Sequence, residues 1–255
     1  MASLFKEFEA ASSDVLSQLS ACLICQNAID NQLTLADILA FRPIQPKLFC
    51  QACLIGLQAI DMKDSCQQCG RPLSGKIPVE VDMKGFCSDC QSWHTYHNWY
   101  FTNLAFYQYN TVFKDWLVVL KGQGDIRGRF LFANQLKDHY RRNADAIWVP
   151  MPTSNEKLAN RGFNQTNLLL EAAGIPYLDI LKSEGGKGKQ AYKNRQDRLR
   201  DSGKITLAVA HENLDKSRSI ILFDDVYTTG TTMFSAYKSL DEAGFKNIRG
   251  LTLAR

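Results

Sequence analysis

The sequence predicts an α/β fold, in which a parallel β-sheet carries helices on both faces and a small cysteine-rich domain precedes it. Two observations lead to this fold class. Short apolar segments alternate with segments of helical period over the last two thirds of the chain, a pattern typical of parallel strands joined by helices. All eight cysteines, in contrast, lie between Cys22 and Cys90. We therefore expect two domains, over residues 1–95 and 96–255.

Composition restricts the class of protein. The 255 residues are 45% hydrophobic and 22% charged, which excludes a mainly disordered chain, a collagen and a coiled-coil rod. A net charge of +4 is too small to indicate nucleic-acid binding by itself. There is no apolar run of the ~18 residues that span a membrane, and the first twenty residues lack the apolar core of a secretory signal. The sequence thus predicts a cytoplasmic protein.

The cysteines form four Cys-x-x-Cys pairs, namely Cys22/Cys25, Cys50/Cys53, Cys66/Cys69 and Cys87/Cys90. A cytoplasmic chain keeps such cysteines as thiols. Two pairs supply the four thiolates of a closed tetrahedral zinc site. The four pairs therefore predict two structural Zn²⁺ ions in a zinc-ribbon-like region that is too short to build a hydrophobic core. The pairing stays open between consecutive and alternate pairs, and a redox role for one pair is the alternative.

The first part of the chain has the period of three short helices, over about residues 1–20, 33–41 and 54–62. Residues 93–109 that follow are rich in aromatic side chains and contain no lysine or arginine. This composition favours a buried segment that joins the two domains. A stacking surface for single-stranded nucleic acid is the alternative.

The remaining elements follow from apolar spacing. The predicted helices cover residues 111–121, 126–140, 165–173 and 231–243, and the predicted strands cover residues 146–149, 177–181, 205–209, 219–223 and 247–253. Residues 182–204 form a glycine-containing segment with eight basic and three acidic residues. A long segment of this kind between two strands indicates a functional loop.

The most informative motif covers residues 220–232, where a buried strand ends in Asp224 and Asp225 and a loop of threonines and glycine then opens a helix. Ligands of doubly wound sheets bind beyond the carboxyl ends of the strands. A helix N-terminus favours phosphate because its N–H groups are unpaired, threonine hydroxyls add donors, and Gly230 lets the backbone approach the ligand. The carboxylates are placed to accept hydrogen bonds from ribose hydroxyls, so the motif predicts a site for a phosphorylated sugar.

This motif resembles the signature of the type I phosphoribosyltransferases, which bind phosphoribosyl pyrophosphate (PRPP). With the cysteine pairs, Leu120-Lys121-Gly122, Val149-Pro150-Met151-Pro152 and Arg161-Gly162-Phe163-Asn164-Gln165, the chain resembles the ComF family over residues 22–255. Members of this family join a zinc-binding region to a phosphoribosyltransferase-like domain. They include competence proteins required for taking single-stranded DNA into the cytosol in natural transformation, and GntX-like relatives.

The resemblance implies roles for individual residues. Asp224 and Asp225 would contact the ribose and act in catalysis. The 5′-phosphate would be bound by Thr228, Thr229, Gly230, Thr231 and Thr232. The pyrophosphate and Mg²⁺ would lie near Met151, Pro152 and Thr153, with Arg161 and Lys121 as cations, since a guanidinium can bind an oxyanion through two N–H groups. A flexible loop that closes over the substrate would include Lys187, Lys189, Gln190 and Arg195.

Several functions agree with these motifs, because membership of a fold does not establish catalysis. One is a phosphoribosyltransferase with an unknown nitrogen acceptor, in which loop closure excludes water. Others are a non-catalytic protein that senses PRPP or binds protein or single-stranded DNA, and a GntX-like transferase unrelated to transformation. The resemblance implies as partners a ComFA-like helicase ATPase, a DprA-like recombination mediator and single-stranded DNA, at the membrane uptake machinery but without a membrane span.

Overall fold

In the computed structural model, the described residues are 21–29, 39, 47–74, 79–184, 205–208 and 214–255. The helix expected over residues 1–20, most of that expected over 33–41, and Lys187, Lys189, Gln190 and Arg195 lie outside this part of the chain. Contacts divide the chain into an N-terminal unit, Met1–Leu57 with Asn110–Leu131, and a sheet unit, Gln58–Tyr109 with Phe132–Arg255. The division does not follow chain order, because each unit takes two separate segments.

Within the described ranges, the α-helices in chain order are α1 Gln51–Gly56, α2 Ser88–His97, α3 Thr111–Leu117, α4 Ala133–Arg141, α5 Asn155–Arg161, α6 Gln165–Ala172 and α7 Thr231–Glu242. The strands are β1 Asn103–Tyr107, β2 Ile147–Pro150, β3 Leu181–Ser183, β4 Ile205–Leu207, β5 Ile220–Val226 and β6 Ile248–Ala254. Short 3-10 segments cover Met62–Asp64 and Ile126–Phe132, and a π-helical turn covers Val118–Gly122. Among the described residues, no helix is long and apolar enough to cross a membrane.

The N-terminal unit contains α1 and α3. Asn110 caps α3 by accepting a hydrogen bond from the amide of Phe113, and its own side chain donates to the carbonyl of Gly56 at the end of α1, at 2.7 Å. Trp116 is fully buried and donates its indole N–H to Gly128, at 2.8 Å. The helix predicted over residues 54–62 is wrong in its bounds, because α1 ends at Gly56.

The sheet unit is built on four parallel strands in the order β1-β6-β5-β2. Pro150 of β2 lies opposite Phe223 of β5, and Asp224 of β5 lies opposite Thr252 of β6. Because all neighbours run in the same direction, their carboxyl ends meet at one edge of the sheet. The parallel sheet with helices confirms the α/β fold class predicted from the sequence.

Strands β3 and β4 differ from the prediction. They pair with each other in an antiparallel two-stranded sheet, with Leu181 opposite Leu207, instead of joining the parallel sheet. The sequence predicts a loop and no crossover helix between them, and neighbouring strands without a crossover pair in the antiparallel direction. Strand β4 lies against α7, where the Ser235 hydroxyl oxygen accepts a hydrogen bond from the amide of Ile205, at 3.0 Å.

The aromatic segment over residues 93–109 divides between core and surface. Trp93, Trp99 and Phe101 are buried. Trp93 and Trp99 pack against each other and against Phe234 of α7, and Phe101 stacks on Trp99, at ring-centroid distances of 4.9 to 5.1 Å. In contrast, Tyr96 of α2 is exposed. The buried rings join α2 and the following segment to the core of the sheet unit.

Candidate functional site

The predicted ribose carboxylates lie at the carboxyl edge of the sheet. The amide of Met151, the first residue after β2, donates to the carbonyl of Phe223 at 2.8 Å. Asp224 follows Phe223 directly, so the turn after β2 begins beside the carboxylates. Asp225 is buried, and its amide donates to the Asp224 carboxylate at 2.9 Å. The structure therefore brings Asp224, Asp225 and Met151 together at this edge.

The loop that follows β5 has the form of an anion site. Gly230 is the N-cap of α7, with φ of +85°, and no side-chain hydrogen bond caps the helix. The hydroxyls of Thr229 and Thr231 are hydrogen-bonded to each other, at 2.7 Å, while Thr228 and Thr232 are exposed. The amide of Thr231, the first residue of α7, donates to the Thr229 hydroxyl at 3.4 Å. Because the N-cap has no side chain, the N–H groups that follow in the first helical turn stay available to a phosphate.

Hydrogen bonds from the start of α6 fix the turn after β2. The carbonyl of Met151 accepts hydrogen bonds from the side chains of Asn164, at 3.1 Å, and Thr166, at 2.8 Å. Asn164 also caps α6 by accepting from the amide of Thr166. One asparagine thus fixes both the start of α6 and the turn that begins at Met151.

Thr153 and Arg161 converge on Gln165. The Thr153 hydroxyl donates to Oε1 of Gln165 at 3.2 Å, and Nη1 of Arg161 donates to the same oxygen at 3.4 Å. Arg161 ends α5, and Gly162 with φ of +80° reverses the chain behind it. Arg161 was predicted as a site residue, whereas Asn164 and Gln165 of the same Arg-Gly-Phe-Asn-Gln segment were not.

Lys121, the other predicted cation, belongs to the N-terminal unit, where it lies in the turn Val118–Gly122 and is half-buried.

A pocket of about 830 Å³ opens beside Pro152 and Thr153 in the sheet unit, with Asn164, Lys182 and Thr206 in its wall. The motifs gave no sign of this pocket, because its wall comes from segments that only the fold brings together.

The first cysteine cluster, Cys22, Cys25, Cys50 and Cys53, lies in the N-terminal unit with all four sulfurs within 4.8 Å of one another. The sulfurs of Cys25 and Cys50 are 3.6 Å apart, and the amide of Cys50 donates to the Cys22 sulfur at 3.3 Å. Cys25 is exposed.

The second cysteine cluster, Cys66, Cys69, Cys87 and Cys90, lies in the sheet unit and is completely buried. Its sulfurs are 3.7 Å apart between Cys66 and Cys90 and 3.8 Å apart between Cys69 and Cys87. Tetrahedral zinc with bonds of ~2.3 Å separates its sulfur ligands by about 3.8 Å, so the donor set fits zinc.

Both clusters combine consecutive Cys-x-x-Cys pairs, which settles the pairing that the sequence left open. Each has four sulfurs and no open position for substrate. The clusters are therefore suited to structural metal ions, and a catalytic metal would need a vacant ligand position.

Two proteins of known name are similar in sequence to this chain over most of its length. The chain is 30% identical over 234 residues to competence protein ComFC of Streptococcus pneumoniae, covering 92% of this chain and 99% of the relative. It is 28% identical over 241 residues to competence protein ComFC of Bacillus subtilis, covering 92% and 94%.

Among solved structures, an APRTase from Giardia lamblia in complex with 9-deazaadenine is similar at 17% identity and a TM-score of 0.35, covering 54% of this chain and 84% of that one. Adenine phosphoribosyl transferase from Trypanosoma brucei is similar at 15% identity and a TM-score of 0.35, covering 54% and 68%. Similarity at this level gives no information about the site. No family model matches the chain. From its identity to the curated relatives over almost their whole length, the chain belongs to the ComFC family of competence proteins.

Proposed function

We propose that this protein binds PRPP with Mg²⁺ at the carboxyl edge of β2 and β5, and that it supports uptake of single-stranded DNA in natural transformation. The main support for the binding site is the arrangement at the end of β5, where two carboxylates precede a helix whose N-cap is Gly230. The role in transformation rests on two relatives named as competence proteins. Reducing conditions in the cytoplasm, where we place the protein, keep its eight cysteines as thiols.

In this proposal the 5′-phosphate lies at the start of α7. The N–H groups of the first helical turn and the hydroxyls of Thr228 and Thr232 donate to its oxygens. Asp224 and Asp225 accept hydrogen bonds from the ribose hydroxyls. Their negative charge also stabilises the positive charge that develops on the sugar when its bond to pyrophosphate breaks.

The pyrophosphate lies against the turn of Met151, Pro152 and Thr153. Gln165 binds both Thr153 and Arg161 through one oxygen, so it holds the hydroxyl and the guanidinium in a fixed relation. The other N–H groups of Arg161 would donate to an oxyanion of the pyrophosphate. Mg²⁺, when bound, would neutralise charge on the departing pyrophosphate. A nitrogen nucleophile is the class of acceptor that this chemistry takes.

The site is tested by calorimetric titration of the zinc-loaded protein with Mg²⁺-PRPP. An Asp224→Asn/Asp225→Asn variant should bind at least 10-fold more weakly, because hydrogen bonds to charged groups contribute about 1.5–3 kcal/mol each. Asp138→Asn is the matched control, because Asp138 is an exposed residue of α4 whose carboxylate pairs with Arg141 on the same helix. It should bind as the native protein does.

Zinc content and circular dichroism establish that all three proteins are folded. Saturable binding that the double variant loses and the control keeps supports the proposal. A native protein with a full zinc content and no saturable binding of Mg²⁺-PRPP contradicts it. If binding is confirmed, release of pyrophosphate with a panel of nitrogen acceptors decides between a transferase and a non-catalytic PRPP sensor. Capture of a ComFA-like ATPase or a DprA-like mediator tests the proposed partners.

A further inference from the structure

We infer that Trp93 is a positioning residue that fixes the phosphate-binding loop, residues 227–231, to the second cysteine cluster. Metal occupancy of that buried cluster then sets the affinity of the loop for a phosphate group. The inference deepens the proposed function and rests on it, since it assigns a control to the same loop. All residues that carry it belong to the sheet unit.

Helix α2 connects the cluster to the loop. Cys87 is its N-cap, Cys90 lies in its first turn, and Trp93 follows three residues later on the same face. The Trp93 side chain is buried, and its indole N–H donates to the carbonyl oxygen of Thr229 at 2.9 Å. One helix therefore carries two of the four cysteines at its start and, about one turn later, a hydrogen bond to the phosphate-binding loop.

A second set of contacts joins the second cysteine cluster to the phosphate-binding loop. Asp89 lies between Cys87 and Cys90, and its carboxylate is 3.6 Å from Nη2 of Arg255 and 3.1 Å from Nη1 of Arg71. The Arg255 guanidinium lies over the ring of Tyr227, 5.1 Å from its centroid, and donates to the Tyr227 carbonyl at 3.5 Å. Tyr227 is the first residue of the loop, so the loop is connected to the cysteine knuckle at both Tyr227 and Thr229.

The packing around Gly230 makes the loop sensitive to α2. A Cβ at Gly230 would lie 3.2 Å from the indole nitrogen of Trp93 and in conflict with the Tyr227 hydroxyl. Both of these side chains are buried, so they occupy the space beside the loop backbone. A shift of α2 would open this space and change the direction of the N–H groups that face the phosphate.

The position of α2 in turn depends on the cysteines. The helix has ten residues, and isolated helices shorter than ~12–15 residues are marginal in water. Its first turn is anchored through Cys87 and Cys90 to a cluster that also binds the separate Cys66–Cys69 segment. Loss of the metal would release this end of α2, and the change would reach Thr229 through Trp93.

The test compares Trp93→Phe with Trp99→Phe in the zinc-loaded full chain. Trp93→Phe keeps an aromatic ring against Phe234 and removes the N–H that Thr229 accepts. Trp99→Phe is the matched control, because Trp99 is equally buried and packs on the same rings, but its N–H has no hydrogen-bond partner among the described residues. We measure zinc content, the Kd for Mg²⁺-PRPP and hydrogen exchange of the amides of residues 228–232.

Trp93→Phe should keep its zinc, bind Mg²⁺-PRPP about 3- to 10-fold more weakly, as expected for loss of one hydrogen bond, and exchange the loop amides faster. Trp99→Phe should match the native protein in Kd and loop exchange. In the native protein, removal of the second metal with a chelator should speed exchange in the same amides. If Trp93→Phe loses its zinc, this exchange measurement on the native protein still tests the coupling between the second cysteine cluster and the loop.

The outcomes separate this inference from the proposed function. If the native protein binds Mg²⁺-PRPP and neither Trp93→Phe nor metal removal changes loop exchange or Kd, the coupling is overturned and the function stands. If the native protein does not bind Mg²⁺-PRPP, the function fails. Loop exchange still tests the coupling in that case, because it needs no ligand.

Discussion

Replacement of Gly230 by alanine should be unusually costly, and the cost has two parts. An L-residue in the left-handed region, here at φ of +85°, costs about 1–2 kcal/mol. The new Cβ would also conflict with the Tyr227 hydroxyl and lie 3.2 Å from Nε1 of Trp93. Both side chains are buried, so the crowding adds the ~1–3 kcal/mol typical of an overpacked core. The free energy of unfolding of the sheet unit should fall by about 2–5 kcal/mol.

Gly174→Ala isolates the first part, the backbone cost, so the difference between the two variants gives the cost of crowding. Gly174 has φ of +66°, but a Cβ there would meet nothing within 4 Å. This variant should therefore lose only the backbone cost of about 1–2 kcal/mol. Urea unfolding followed by circular dichroism gives both values, and an unchanged m-value shows that the two transitions are comparable. Equal losses in the two variants would refute the close packing of Tyr227 and Trp93 around the loop.

Two further predictions concern pH and metal. Burial, followed by the charges of Arg142 and Arg249, lowers the pKa of His139 to about 4 from its usual 6.5. The unfolded chain therefore binds this proton first, and the free energy of unfolding should fall as the pH drops from 6.5 towards 4. A His139→Gln variant that keeps the full native pH slope would contradict this, and urea unfolding at several pH values measures it. A colorimetric chelator should remove metal from the first cysteine cluster, in which Cys25 is exposed, before it removes metal from the buried second cluster. Release of both metals in one phase would show that burial does not protect the second site.

The elements that the sequence predicted well are those with a strong local pattern. Strands β5 and β6 and helix α7 lie within a few residues of their predicted bounds, because their apolar spacing is set by burial against the sheet. The cysteine pairs were equally clear, since metal ligands must recur at fixed spacing. The domain boundary expected at residue 95 stays a prediction.

The features that could not be predicted from the sequence depend on contacts between residues that are distant along the chain. The antiparallel pairing of β3 with β4 is one of them, because it depends on how the chain connects the two strands and not on the residues of either strand. Trp93 and Thr229 are 136 positions apart in the sequence, so no local pattern predicts their hydrogen bond, although the position of Trp93 three residues after Cys90 was a usable signal. Gln165 likewise gains its role only when α5 and α6 bring Thr153 and Arg161 to it.

The most direct test of the proposed PRPP site is a crystal structure of the zinc-loaded protein with Mg²⁺-PRPP. We expect the 5′-phosphate within hydrogen-bond distance of the backbone N–H groups of residues 228–232. We also expect the ribose hydroxyls on Asp224 and Asp225, and the pyrophosphate at the turn of Met151–Thr153. PRPP bound away from the carboxyl edge of β2 and β5, or a site that stays empty at saturating PRPP, would contradict the proposed site.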